Sequence, residues 1–219
     1  MFRVPCAICS RPACPQTICP DCSQTIAKTR WGFSSLSLKE QRIPVIWRER
    51  YGGALTETIY RCKYRADWGG AKTLGLCLGQ IPGLWLGEAP TAVPIPLADA
   101  RLASRGFNQS HLIAASAARC WGLEFQGRWL IKTRSTDRQA ELSKENRSAN
   151  LVNTFTARAP IQGRRILLID DIMTTGATLK EAARAVQDAG GLVIGAAVIA
   201  RVQQDQHRKQ PGHVQRRIV

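Results

Sequence analysis

The stretch from Arg165 to Thr178 constrains this chain more than any other. An apolar run, two adjacent carboxylates, a hydroxyl-rich glycine turn and a helix opening follow each other there without a break. Ile166, Leu167, Leu168 and Ile169 form a continuous apolar run of the kind that fills the middle of a parallel sheet. Thr178-Leu179-Lys180-Glu181 has capping-box spacing, which predicts a helix opening at that point. The turn between them then lies at the carboxyl end of a strand. Asp170 and Asp171 stand there beside the hydroxyls of Thr174, Thr175 and Thr178. Backbone N–H groups around Gly176, Ala177 included, together with the positive end of the helix dipole, suit a phosphate, and glycine lets the backbone approach it closely. The order of parts implies a site for a phosphorylated sugar. Beyond it, Leu179 to Ala189 reads as helix, Gly190-Gly191 as its end and Leu192 to Ala200 as the next strand, completing a βαβ unit.

With 219 residues, 44% of them hydrophobic, the chain can hold one good-sized core, or a core and a small appendage. Its longest apolar stretch, Leu192 to Ala200, is far shorter than the ~20 residues a membrane span needs. Few residues precede Cys6, so no secretory signal is expected. The expected location is the cytoplasm, with the inner face of the membrane as a second candidate. A net charge of +15 suits a polyanion: nucleic acid, an anionic membrane surface or a phosphorylated ligand. Charge alone does not choose among these, and a basic solvated surface without a specific partner fits it equally.

Four of the eight cysteines form Cys6-x2-Cys9 and Cys19-x2-Cys22, paired knuckles with zinc-ribbon spacing. Each knuckle turns two thiolates to one point, and two knuckles complete a tetrahedral shell. Four thiolates close the coordination, so the zinc expected here is structural. A disulfide pairing competes with it but needs an oxidising compartment. Cys14 falls outside both knuckles and is expected to be a bystander. Cys62, Cys77 and Cys120 are scattered and read as buried small apolar residues.

The rest of the chain divides into a ribbon at residues 1–25, a linker or irregular segment at 26–46, a main domain at 47–201 and a flexible basic tail at 202–219. In the main domain, Gly53 to Tyr64 reads as a basic amphipathic helix. Arg61, Lys63, Tyr64 and Arg65 interleave cations with an aromatic ring, as a surface that holds single-stranded DNA does. An amphipathic helix spreading its cations around a core explains the same pattern. Ala71 to Leu78 reads as helix, Thr91 to Pro96 as a strand, then a loop with Arg101 and Arg105, a helix from Asn108 to Trp121 and a strand from Arg128 to Lys132. The long polar stretch 133–150 holds Arg134, Gln139, Arg147 and Asn150, and loops of that length are often lids or binding elements.

Taken together, these residues resemble the ComF (also called GntX-like) family of competence-associated phosphoribosyltransferase-fold proteins. The resemblance runs through the paired cysteines, Tyr51-x-Gly53, Lys63-Tyr64, Val93-Pro94-Ile95-Pro96-Leu97, Arg105-Gly106-Phe107-Asn108-Gln109, Gln139 to Asn150 and the Asp170 to Thr178 motif. It implies an α/β, type I phosphoribosyltransferase fold: a parallel sheet flanked by helices, with a hood, plus a small N-terminal zinc ribbon. It further implies that Asp170 and Asp171 meet the ribose hydroxyls of 5-phosphoribosyl-1-pyrophosphate (PRPP) and act in catalysis, while Thr174, Thr175, Gly176, Ala177 and Thr178 hold the 5-phosphate and Mg²⁺ accompanies the ligand. By position, Arg101 and Arg105 look like pyrophosphate clamps, and Arg134, Gln139, Arg147 and Asn150 belong to the stretch resembling the mobile catalytic loop. Oxopurine salvage enzymes carry a base-contacting acid where this chain has Thr174, so hypoxanthine and guanine are not expected substrates. The family points to DNA uptake in natural transformation, with single-stranded DNA and competence translocation proteins, such as a ComF-operon helicase, as partners. A phosphoribosyltransferase of nucleotide-type metabolism, with no direct DNA role, is the other reading.

Overall fold

The computed structural model describes residues 4–14, 18–83, 88–133, 154–158 and 161–202. Its centre is a six-stranded sheet of β3 (Gly32–Leu38), β4 (Gln41–Arg50), β10 (Leu192–Arg201), β9 (Arg165–Met173), β5 (Thr91–Pro94) and β6 (Glu124–Phe125), in that order. All neighbours run parallel except β3, which pairs antiparallel with β4 at one edge. The two central strands are apolar on both faces because helices or strands cover both. Leu167 and Ile169 of β9 enter one core with α2 (Thr56–Tyr64), α3 (Trp68–Gly79) and α5 (Gln109–Trp121). Ile166 and Leu168 enter the other, with α6 (Ala177–Asp188) and the small hairpin of β7 (Leu130–Lys132) and β8 (Phe155–Ala157). Alternation along one strand thus feeds two cores.

The N-terminal segment packs on the first of these cores. It consists of β1 (Val4–Pro5), β2 (Pro12–Cys14) and α1 (Pro20–Lys28), with Cys6, Ile8, Cys19 and Ile26 buried in the shared cluster. Arg48, buried on β4, donates to the carbonyls of Ile26 and Thr29 at the end of α1 and to Cys77 O on α3. Arg61 on α2 donates to Ile8 O at 2.9 Å and to Ala7 O, and pairs with Asp67 at 3.0 Å. Both guanidiniums thus tie the N-terminal segment to the sheet and helices through backbone carbonyls.

Four expectations change. Residues 26–46 are not an irregular linker: β3 and most of β4 lie in that span and join the main sheet. The β4 pattern was obscured because its buried residues include Arg48 and Glu49 beside Ile43, Val45 and Ile46. The segment holding Arg101 and Arg105 is a helix, α4 (Asp99–Arg105), which has no buried residue and so no apolar stripe to reveal it. Cys120 is exposed, whereas Cys62 and Cys77 are buried as expected. The capping box does not form. Helix α6 is capped two residues earlier, at Gly176, and Glu181 instead accepts from Thr154 N and pairs with Arg184. Among the described residues, no helix is long and apolar enough to cross a membrane.

Candidate functional site

The acid pair and the hydroxyl turn lie together at the carboxyl end of β9, where neighbouring strands β5 and β10 also end or turn. Gly176 is buried with φ +77°, a left-handed conformation that costs an L side chain strain, and a Cβ there would lie 2.3 Å from Leu36 Cδ2 of β3. That buried pivot leaves Thr174, Thr175 and Thr178 exposed around the start of α6. Thr175 Oγ1 accepts from Ala177 N at 3.3 Å, and the first helical bond is Lys180 N to Gly176 O at 2.9 Å. The early N–H groups of a twelve-residue helix and three exposed threonines therefore lie close together in the chain at the end of β9.

Residues from the start of α5 hold the two carboxylates. Gly106, at φ +76°, ends α4, and Phe107 is buried behind it. Asn108 then does two jobs: its Oδ1 caps α5 by accepting from Ser110 N, and its Nδ2 donates to Ile95 O just beyond β5. This fixes the first turn of α5 against the ends of β5 and β9. Gln109 Nε2 donates to Asp171 Oδ2 at 2.8 Å, and Ser110 Oγ donates to Asp170 Oδ1 at 2.8 Å. Lys63, from the last turn of α2, pairs with the same Asp171 oxygen at 3.0 Å. Burial, and then the charge of Asp171 beside it, push the Asp170 carboxyl up to about 7, although its surface keeps an opening to solvent.

A divalent cation fits this set. Among the described residues, Asp170 engages its Oδ1 and Asp171 its Oδ2, leaving the other oxygen of each for a hydroxyl or a metal-bound water. Burial and the neighbouring Asp171 charge both work against ionisation of Asp170, and Lys63 only partly offsets them. A hard cation that keeps most of its waters, such as Mg²⁺, would add positive charge there.

The second cluster is closed. The Sγ atoms of Cys6, Cys9, Cys19 and Cys22 all lie within 4.8 Å of one another. Cys9 Sγ and Cys19 Sγ are 3.8 Å apart, the edge length that Zn–S bonds of about 2.3 Å give a tetrahedron. Ile8 N and Cys19 N point at Cys6 Sγ from 3.4 and 3.3 Å. Burial opposes ionisation of Cys6, yet backbone N–H groups from Cys19, Cys9 and Ile8 outweigh it and hold the thiol below its usual value. The donor set thus fits a metal such as zinc.

Several candidates change place. Arg61 is sequestered by Ala7 O, Ile8 O and Asp67, so it is removed from the DNA-contact set. Lys63 is turned toward Asp171, with a side chain only 21% exposed. Tyr64 and Arg65 are exposed, and they share with Lys63, Arg101 and Arg105 a cleft of about 350 Å³. Arg134, Gln139, Arg147 and Asn150 lie outside the described residues. Gln109, Ser110 and Lys63 as holders of the acid pair were missed. Their contacts span 62, 60 and 108 positions of sequence, and only the Asn108 cap signal hinted that Gln109 and Ser110 share a first helical turn.

Comparison with known proteins points to one family. The phosphoribosyl transferase domain model matches residues 113–215. DNA utilization protein YhgH of Escherichia coli (strain K12) is 30% identical over 190 residues, 82% of each chain. Competence protein ComFC of Bacillus subtilis is 30% identical over 189 residues, covering 84% of this chain and 72% of that one. Among solved structures, the glutamine phosphoribosylpyrophosphate amidotransferase of Bacillus subtilis superposes with a TM-score of 0.42 and 20% identity, over 60% of this chain and 26% of that longer one. Glycine turn, acid pair and cysteine cluster stand on a sheet of this order in a chain with such relatives: it belongs to the ComF (GntX-like) family of phosphoribosyltransferase-fold proteins.

Proposed function

We propose that the protein binds PRPP with Mg²⁺ at the end of β9 and acts in DNA utilization or uptake, handling incoming single-stranded DNA in the cytoplasm. One observation carries the ligand assignment: three exposed threonine hydroxyls surround a buried glycine N-cap directly beside two carboxylates held from α5. The helix start would take the 5-phosphate, and Asp170 and Asp171 the ribose hydroxyls and the hydrated cation. In a transfer reaction, loss of pyrophosphate leaves positive charge on the anomeric carbon, and the same carboxylates would stabilise it. By the family resemblance alone, Arg101 and Arg105 are taken as pyrophosphate clamps, and Arg134, Gln139, Arg147 and Asn150 as part of a mobile catalytic loop. The DNA role is supported by the +15 charge, by the exposed cations near Tyr64, and by relatives named for DNA utilization and competence. Translocation proteins of the competence machinery are the partners such a role requires.

Titration calorimetry with PRPP and Mg²⁺ tests the site. Saturable binding is expected, and Asp170→Asn/Asp171→Asn should weaken it at least tenfold while leaving the fold intact by circular dichroism. Undiminished binding by the double variant rules the site out. The intact acid pair also favours a second reading, a metabolic phosphoribosyltransferase with an unidentified acceptor and no DNA role. Pyrophosphate release on adding a small acceptor, with no affinity for single strands even at low salt, would select it.

A further inference from the structure

The cleft of about 350 Å³ between the end of α2 and α4 is lined by Lys63, Tyr64, Arg65, Arg101, Ser104 and Arg105, with no carboxylate among its lining residues. Beside it two tyrosine rings lie open: Tyr60 is 50% exposed and Tyr64 66%. Their centroids are 4.6 Å apart, and the Arg105 guanidinium stands 5.9 Å from the Tyr64 ring centre. Cations with rings at their edge match a ligand that alternates phosphates with flat bases. In a duplex the bases are already stacked on one another, so only an unpaired strand can use both features. An acidic peptide would pair with the cations but leave the rings idle.

Lys63 belongs to this cleft and also to the acid pair, through its 3.0 Å contact with Asp171. One ammonium cannot serve both a phosphate in the cleft and Asp171 at full strength. We propose that this cleft and its tyrosine edge hold single-stranded nucleic acid, and that a strand phosphate draws Lys63 off Asp171, so that strand binding and divalent-cation binding at the acid pair strengthen each other. The inference rests on the DNA reading above and adds to it a surface and a linkage. Reciprocity follows from thermodynamics: whatever factor the strand adds to cation affinity, the cation adds to strand affinity.

The test uses the full chain, a fluorescent oligo-dT and Mn²⁺ as a probe cation observed by its paramagnetic resonance. Oligo-dT should bind wild type with a log–log salt slope of roughly −2 to −3, as about four neutralised phosphates give for a single strand. Tyr60→Ala/Tyr64→Ala should lose at least tenfold in affinity. Arg65→Gln should flatten the slope by about 0.7. Saturating oligo-dT should tighten Mn²⁺ binding by about fivefold or more in wild type. In Lys63→Gln, Mn²⁺ should bind tightly without the strand, and the coupling should vanish. Unchanged Mn²⁺ affinity in the presence of bound oligo-dT overturns the linkage. Equal strand binding by wild type and by the tyrosine and Arg65 variants overturns the surface while the DNA role stands. No strand binding by wild type at low salt removes the DNA reading itself, and PRPP calorimetry then reports on the acid pair separately.

Discussion

The cysteine cluster and the acid pair are both fit to hold a metal, but they are built in opposite ways. Four thiols converge within 4.8 Å, ordered by backbone N–H groups of their own knuckles and clamped from behind by Arg61. The two carboxylates are held by side chains from other elements and keep one oxygen each unengaged among the described residues, and Asp171 pairs with a lysine. A closed shell ordered by main chain is suited to keep its ion for the life of the protein. An open pair ordered by side chains is suited to exchange it with each ligand. The contrast also explains the placement of charge: Arg61 and Lys63 are two residues apart on α2, one spent on carbonyls of the closed site and the other poised at the open one.

The strongest way to break this comparison is to empty the closed site. Cys6→Ser, or prolonged chelation, is expected to cost several kcal/mol of stability, because a small metal-held segment has little core of its own and here shares one with α2 and α3. Thermal melts followed with metal analysis would measure it. PRPP affinity should fall as well, since α2 carries both Arg61 and Lys63. A metal-free protein that melts and binds as before would show the cluster to be idle.

A smaller effect is expected at Asp170 and should depend on pH. Its carboxyl titrates near 7 when folded, against a usual value of 3.8. The folded state therefore holds a proton that the unfolded chain has released, and stability falls as pH rises from about 4 to about 7. Asp170→Asn removes that loss, so without divalent cation the variant should gain on wild type across this window, by on the order of 1–3 kcal/mol above pH 7. Denaturant melts at pH 5 and pH 8 check it, and a gap between the proteins that stays constant with pH would contradict the assignment. The smallest effect sharpens the idea that α5 positions the pair. Ser110→Ala should cost about 1 kcal/mol and move the Asp170 titration further up, because the lost hydrogen bond favours the charged form. Carboxyl NMR would register the shift, which a purely structural role of Ser110 would not produce.

Much of the half around β9 and α6 was legible because its signals are local. The β9–α6–β10 unit announces itself through a continuous apolar run, a glycine turn and a glycine stop, and the knuckles through their spacing. The hairpin of β3 and β4 was not, since Arg48 and Glu49 disguise a buried strand as a polar one. Glu49 is sheltered by the turn that follows it, with Leu55 N donating to its Oε1 at 2.8 Å and Gly53 leaving room for the carboxylate. Lys63 and Arg61 read as surface cations because nothing within α2 says which faces a carbonyl and which a carboxylate. Those partners lie 53 and 108 positions away.

Strand order has a consequence for how the chain comes to be folded. β4 lies between β3 and β10, and its register with β10 joins Val45 to Ala196 and Arg50 to Arg201. During synthesis the β3–β4 hairpin therefore waits, one edge unpaired, for a partner some 150 positions downstream. The knuckle at Cys6 to Cys9 waits in turn for Arg61. Early capture of a metal by the cysteines would shield their thiols and order the N-terminal end through that interval, so the ribbon would serve the nascent chain before it serves the finished molecule.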